Sequence, residues 1–181
     1  MIVGFSGRAG AGKDTAAGPL LEEGWVKLSF AEPLKRMLCE LFGWDMANWE
    51  NLEWKETPRR ECMDKTPRYM AQTLGTEWGR ELVHPNLWVE TALNRARMLE
   101  ARGSNIVFTD VRFPNEAKAI KNNGGMLIHM MREGELRTDA RHESEQDIGY
   151  LAHECILARE GEIDVIRTAA LHLVRHFEAL K

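Results

Sequence analysis

Ile2-Val3-Gly4-Phe5-Ser6-Gly7-Arg8-Ala9-Gly10-Ala11-Gly12-Lys13-Asp14-Thr15 is the stretch that decides the fold. An apolar run typical of a buried β-strand leads into a glycine-rich turn, and a helical pattern begins at Lys13. Glycines let successive backbone N–H groups point inward around an anion, and the helix N-terminus adds the positive end of its dipole. The stretch therefore predicts a phosphate-binding loop, with contacts from Gly7, Ala9, Gly10, Ala11, Gly12, Lys13, Asp14 and Thr15.

The end of this loop departs from the usual pattern. Lys13 supplies a positive charge for the β- and γ-phosphates of a nucleotide. The next residue is ordinarily Ser or Thr, whose hydroxyl holds Mg²⁺, but here it is Asp14, with Thr15 one place later. Asp14 could bind Mg²⁺ directly or through water, or Thr15 could supply the hydroxyl. A glycine-rich turn without a ligand is the alternative interpretation.

Short apolar runs alternate with longer helical patterns along the chain, which favours an α/β class. Right-handed crossovers predict a three-layer α/β/α arrangement with a mostly parallel sheet, as one domain over residues 1–181. Ligands of such sheets bind beyond the carboxyl ends of the strands. The strands are expected at 2–6, 26–29, 105–110, 126–131 and 155–157, and the helices at 13–22, 33–42, 66–79, 87–101, from 114 to about 122 and 163–180, with 43–67 irregular.

Composition and net charge argue against a membrane protein and against a non-specific nucleic-acid-binding protein. The chain has 181 residues and a formal net charge of −4. No apolar run approaches the roughly 18 residues of a membrane span, and we expect no signal peptide, because the start of the sequence lacks the basic residues and apolar stretch of one. The acidic balance disfavours a sequence-independent groove for polymeric nucleic acid. Three distant cysteines indicate reduced thiols and no zinc site, so we expect a cytoplasmic protein.

Asp110 and Arg112 form a second candidate group. Asp110 ends a buried-strand candidate, so it should lie at the carboxyl edge of the sheet. There it could hold a metal through water or orient an acceptor oxygen, and Arg112 could clamp a phosphate. In the alternative interpretation, Asp110 caps a turn and Arg112 forms a surface ion pair.

A helix opened by Thr66 and expected to end near Gly79 has a polar face. At 100° per residue, this face contains Arg68, Gln72 and Arg80. A guanidinium suits the phosphate of a nucleoside monophosphate, and the Gln72 amide suits a base edge. An ordinary solvated face is the alternative. The opposite, apolar face contains Met70, Ala71, Leu74 and Trp78.

Three arginines, Arg132, Arg137 and Arg141, lie in a polar stretch over residues 132–147. A mobile lid with these side chains would close over transferring phosphates, exclude water and stabilise negative charge. Interspersed acidic residues support the alternative of a salt-bridged surface loop. His172 and His176 lie four apart on the last helix, where ordinary helix positions are favoured over metal ligands.

The loop with Lys13-Asp14-Thr15 resembles that of phage-type deoxynucleoside monophosphate kinases, in which aspartate commonly follows the lysine. The resemblance implies a P-loop nucleoside monophosphate kinase-like fold, with ATP and Mg²⁺ as donor and a deoxynucleoside monophosphate as acceptor. It also implies a helical region over about 43–102 that binds the acceptor and a lid over about 132–147. Arg159-Glu160-Gly161 departs from the family's Asn-x-Gly near the donor adenine. Four further blocks match in order: Phe30–Lys35, Gln72–Glu77, Asp110–Glu116 and His142–Glu145.

Other functions stay open on the sequence. One is a kinase of the same fold that acts on a small metabolite or on a hydroxymethylated base within DNA. Binding to DNA would require a local basic groove, and the stretch Lys55–Arg68, with five basic and three acidic residues, leaves this alternative open. Another is a nucleotide-binding switch without kinase activity. The sequence does not determine the base preference, and it leaves a homodimer as one alternative for the oligomeric state.

Overall fold

The computed structural model describes residues 1–133 and 148–181. Two compact units divide the chain. The first, here called the sheet unit, comprises Met1–Ser29 and Leu93–Lys181, and the second, the helical unit, comprises Phe30–Ala92. Arg137, Arg141 and the His142–Glu145 block lie outside the described residues.

A five-stranded sheet forms the centre of the sheet unit. The strand order is β2-β3-β1-β4-β5, and every neighbouring pair is parallel. All five predicted strands are confirmed, with ends that differ from the expected ones by one residue at most. The strands are β1 Ile2–Ser6, β2 Val26–Leu28, β3 Ile106–Val111, β4 Met126–Arg132 and β5 Glu154–Ala158.

Helices also form where the sequence predicts them. The first and last helices start at the expected residues, and Pro114 begins the helix after β3, since a proline is tolerated in the first turn. The α-helices are α1 Lys13–Glu22, α2 Glu32–Phe42, α3 Leu52–Glu56, α4 Pro67–Thr73, α5 Leu87–Glu100, α6 Pro114–Asn122 and α7 Ile163–Ala179. No helix in the described ranges is long and apolar enough to cross a membrane.

Helices cover both faces of the sheet, which confirms the three-layer prediction. On one face, Val3 and Phe5 pack in a buried cluster with Leu20 of α1 and Ala170 of α7. On the other face, α6 approaches β1 so closely that a Cβ added to Gly4 would lie 2.5 Å from Ile120. From β1 the chain crosses past β3 to β2, whereas from β3 it crosses past β1 to β4 on the other side. The connections after β1 and β3 therefore leave in opposite directions. Such a reversal places a ligand crevice at the carboxyl ends of these strands.

The helical unit has its own apolar cluster around Leu38, Cys39 and Trp49. Trp44 and Trp54 pack edge-on at 5.0 Å between ring centroids, so these aromatic rings are packing elements. The region 43–67, expected to be irregular, contains three short helices, which are too short to give a periodic pattern. They are Met46–Glu50, Leu52–Glu56 and Arg60–Cys62.

One helix prediction is wrong at its end. The helix after Thr66 does not stop near Gly79 but continues beyond α4 as a π-helix over Leu74–Val83. Within this π-helix, the carbonyl of Gly75 accepts a hydrogen bond from the indole N–H of Trp88 at 2.8 Å. The wider π-helix turns less per residue, so the 100° wheel fails beyond Thr73. Trp78, expected on the buried face, is accordingly 40% exposed.

Candidate active site

The glycine-rich loop follows β1 and ends at the N-terminus of α1. Gly7, Gly10 and Gly12 have φ values of 128°, 79° and 86°, a region that L side chains rarely adopt. A Cβ at Gly7 would lie 2.3 Å from the carbonyl oxygen of Met130, so only glycine fits against β4 there. The space at Gly10 is open, with no atom within 4 Å of an added Cβ. A loop open on one side and fixed to the sheet on the other fits a phosphate group.

Lys13 folds back over this loop. Its ammonium donates hydrogen bonds to the carbonyl oxygens of Gly7 at 2.7 Å and Arg8 at 2.6 Å. The residue is buried, so the charge is held beside the loop and away from bulk water. This arrangement concentrates positive charge where the backbone can surround an anion.

Asp14 takes part in a network that the sequence did not predict. Its carboxylate accepts a hydrogen bond from the Lys27 ammonium of β2 at 2.8 Å and another from the hydroxyl of Thr109 in β3. Partial removal from water acts to raise the pKa of Asp14. The hydrogen bonds and the charges of Lys27 and Lys13 outweigh this effect and lower the pKa below its ordinary value. Thr15, beside it, is half-buried.

Asp110 and Arg112 lie at the same sheet edge as the loop. Val111, between them, pairs in register with Ser6, the residue before Gly7. The Ser29 hydroxyl, which follows β2, donates to the Asp110 carboxylate at 2.6 Å. The structure therefore brings the phosphate loop and the Asp110–Arg112 segment together, as the parallel sheet predicts.

Glu116 is a site residue to which the sequence analysis assigned no role. It is only 1% exposed, and its carboxylate accepts hydrogen bonds from the backbone N–H groups of Arg112 at 2.8 Å and Phe113 at 3.1 Å. It thereby fixes the turn that follows Asp110. The signal was present in the sequence, since a glutamate two residues after a first-turn proline is typical of a helix N-terminus.

A buried side-chain pair, formed by one residue of β1 and one of β4, lies under the loop. The hydroxyl of Ser6 and Nδ1 of His129 are 3.0 Å apart, and the two residues are register partners. Arg132, from the predicted lid, ends β4 and is exposed. Because β4 adjoins β1, Arg132 lies at the same carboxyl edge of the sheet as the loop.

The remaining candidates are placed as follows. Arg68, Gln72 and Arg80 belong to the helical unit, where each is half-buried and Arg68 forms an ion pair with Glu56. Arg159 pairs with Glu133 at 3.3 Å. His172 and His176 are exposed on α7, and the described residues contain no group of three metal-ligating side chains.

Comparison with known proteins agrees with this geometry. The model of the deoxynucleotide monophosphate kinase family matches residues 61–169. A protein of Acanthamoeba polyphaga mimivirus, assigned by name as a deoxynucleotide monophosphate kinase, is 36% identical over 159 residues, which cover 82% of each chain. The chain belongs to the deoxynucleotide monophosphate kinase family. A deoxynucleoside-5′-monophosphate kinase of Escherichia phage T5 is 31% identical over 104 residues, 53% of this chain and 41% of that one.

Solved structures share the fold at low identity. A dephospho-CoA kinase from Campylobacter jejuni aligns with a TM-score of 0.53 and 16% identity, covering 96% of this chain and 94% of that chain. A protein from Chloroflexus aurantiacus J-10-fl, named as a kinase, aligns with a TM-score of 0.51 and 11% identity over 98% and 96% of the two chains. These similarities confirm the P-loop kinase fold that the sequence predicts.

Proposed function

We propose that this protein transfers the γ-phosphoryl group of ATP to a deoxynucleoside monophosphate. The observation that supports this most is the common edge: in a chain of this family, the phosphate loop and the Asp110–Arg112 segment meet where β1 and β3 end. A phosphate donor and a phosphate acceptor need such neighbouring sites, because in-line transfer depends on positioning more than on covalent chemistry.

The donor phosphates bind the loop from Gly7 to Lys13 in this proposal. The backbone turns at Gly7, Gly10 and Gly12 aim N–H groups inward, and the Lys13 ammonium leaves its carbonyl partners for the phosphates. The hydrogen bonds that Lys13 makes to Gly7 and Arg8 keep its charge beside the loop before phosphate binds, and phosphate oxygens then replace the two carbonyl oxygens.

The loop also fits a nucleotide-bound magnesium ion. Thr15 and Asp14 are the proposed ligands on α1, with Asp14 acting through water because Lys27 bonds to its Oδ1, and Asp110 is proposed to hold the ion through water. Oxygen donors of this kind suit Mg²⁺, which binds proteins through a few carboxylates or hydroxyls together with phosphates. When bound, Mg²⁺ would neutralise negative charge on the donor phosphates.

Acceptor roles are proposed for residues of each unit taken by itself. Asp110 orients the attacking phosphate oxygen, Arg112 compensates charge at the transition state, and Glu116 holds the backbone between them in place. Arg68 and Arg80 grip the acceptor phosphate and Gln72 reads its base. Arg132, with Arg137 and Arg141, closes over the reacting groups.

We further propose that the protein acts in the cytoplasm, in that of the host if a phage encodes it. Cys39, Cys62 and Cys155 form no disulfide bond, which is typical of a reducing compartment. A homodimer is proposed as an assembly that static light scattering would test.

An ATP-to-ADP assay with Mg²⁺ tests the proposed function. The acceptor panel comprises dAMP, dGMP, dCMP, TMP, 5-hydroxymethyl-dUMP and the ribonucleotides, with a reaction that lacks any acceptor as the control. Turnover that depends on at least one deoxynucleotide is expected. Turnover without an acceptor would favour a nucleotide switch. Binding of ATP with no turnover on the panel would redirect the search to another acceptor, with duplex DNA tested next.

A further inference from the structure

Asp14 places a negative charge in the first turn of α1, next to Lys13. Most loops of this type have a neutral hydroxyl at this position. A carboxylate there opposes the binding of an anion, because it lies beside the N–H groups and the lysine that attract phosphates. A positive charge close to Asp14 would therefore favour phosphate binding.

Lys27 supplies such a charge from a neighbouring strand. Its ammonium lies 2.8 Å from Oδ1 of Asp14. Lys27 is the register partner of Val107, whose side chain is buried in the cluster beneath α1, so Lys27 points to the same face of the sheet as α1. Thr109, two residues further along β3, also reaches Asp14 from this face. The sheet register thus brings Lys27 to the start of α1.

We propose that Lys27 neutralises Asp14 and so allows this loop to bind a polyphosphate with aspartate in place of the usual hydroxyl. Lys27 is a positioning residue for charge: it acts on the bound phosphates through Asp14. This inference rests on the proposed function, since it takes the loop as the site of the donor phosphates.

If the pair between Lys27 and Asp14 were purely structural, its loss would change stability and not anion binding. The Lys27 and Asp14 side chains are 42% and 74% exposed, and exposed pairs of this kind contribute little to stability. Loss of Lys27 should therefore leave the unfolding temperature nearly unchanged. It should weaken anion binding, because an uncompensated Asp14 remains beside the loop.

Calorimetric titration of ATP in the presence of EDTA tests the inference without any contribution from a metal. The proteins compared are the wild type, Lys27→Met, Asp14→Asn and the double variant. Lys118→Met is the matched control, because it removes one exposed positive charge from α6 on the opposite face of the sheet. Circular dichroism and the unfolding temperature establish that each variant is folded, and Lys27→Gln replaces Lys27→Met if the latter does not fold.

Lys27→Met is expected to raise the Kd for ATP about three- to tenfold at low salt, and by less at ~0.5 M KCl, where exposed charges are screened. The double variant should return to within about twofold of the wild type, since its loop has lost the charge that needed compensation. An unchanged Kd in Lys27→Met, a double variant as weak as Lys27→Met, or an equal loss in Lys118→Met would each overturn the inference. If the wild type binds no ATP either in EDTA or with Mg²⁺, the proposed donor site fails as well.

Discussion

In the sheet unit, the predicted site residues follow neighbouring parallel strands, whereas in the helical unit they lie along one helical segment that changes geometry midway. Ser6 and Val111 are register partners, so the phosphate loop and Asp110–Arg112 must reach the same edge. Arg68 and Gln72 lie in α4, but Arg80 lies in the π-helix that continues it. Strand pairing fixes where neighbouring strands end relative to one another. In a helix, by contrast, the direction of each side chain depends on the rotation of all the residues before it.

Loss of the loop's charge gives the largest expected effect. Lys13→Ala should lower kcat/KM for ATP by about 10²- to 10³-fold or more, because a preorganised positive charge beside the transferring phosphate is removed. The fold should persist, since the strands and helices around the loop do not depend on this ammonium. Steady-state kinetics with the best acceptor of the panel measures the effect, with circular dichroism as the control. A folded variant with full activity would show that Lys13 does not serve the donor.

The attachment of the loop to the sheet can be broken at Gly7. Gly7→Ala should destabilise the protein by about 2–4 kcal/mol, because its Cβ would lie 2.3 Å from a backbone oxygen of β4 at a φ of 128°. Gly10→Ala is the matched control, with positive φ but open space, and should cost only about 1–2 kcal/mol. Thermal unfolding compares them. Equal melting temperatures would mean that the contact with Met130 does not restrict the loop.

A substitution at Gly79 tests the helical segment that contains Arg68, Gln72 and Arg80. A Cβ at Gly79 would lie 2.5 Å from Nε1 of Trp88, so Gly79→Ala should displace the indole that bonds to the Gly75 carbonyl. The loss of this buried hydrogen bond costs about 1–3 kcal/mol. Because Arg80 lies in the segment that this bond holds, we expect a higher KM for the acceptor, by roughly tenfold if binding loses about 1.4 kcal/mol, and a nearly unchanged KM for ATP.

Trp88→Phe provides a second variant for this prediction, since it removes the indole N–H while it keeps an aromatic ring. It should change the acceptor KM in the same direction as Gly79→Ala. If either substitution raises the KM for ATP as much as that for the acceptor, the segment held by Trp88 does not serve the acceptor specifically.

The same contrast explains how much the sequence could predict. The strands and most helix ends follow from apolar runs, glycines and prolines, because each of these signals is local. The bond between Lys27 and Asp14 joins residues on different elements, and the one between Ser6 and His129 spans 123 positions, so neither is visible before the strands are in register. The π-helix also bonds through the Gly75 carbonyl to Trp88, a residue of the next predicted helix, so this contact is not local either. Local patterns therefore located the phosphate loop and the Asp110 segment but not the side chains that hold them.

His153 is the site of the smallest expected effect, a pH dependence confined to the sheet unit. The backbone N–H of Leu127 donates to Nδ1 of His153 at 3.0 Å, an interaction that a protonated ring cannot accept. Burial and the nearby charge of Lys121 lower the pKa of His153 below its ordinary value of about 6.5. The unfolded chain therefore binds this proton more readily than the folded protein does.

The sign of the effect follows from this difference. Stability should be retained above about pH 6.5 and should fall as the pH decreases from there through the lower, folded-state pKa. Melting temperatures measured between about pH 8 and pH 5 for the wild type and His153→Asn isolate the contribution of this residue, because the other titrating groups are common to both proteins. The wild type should lose more stability than the variant over this range. Parallel curves would show that the edge between β4 and β5 does not depend on the neutral ring, and that the sheet unit maintains its geometry through backbone pairing alone.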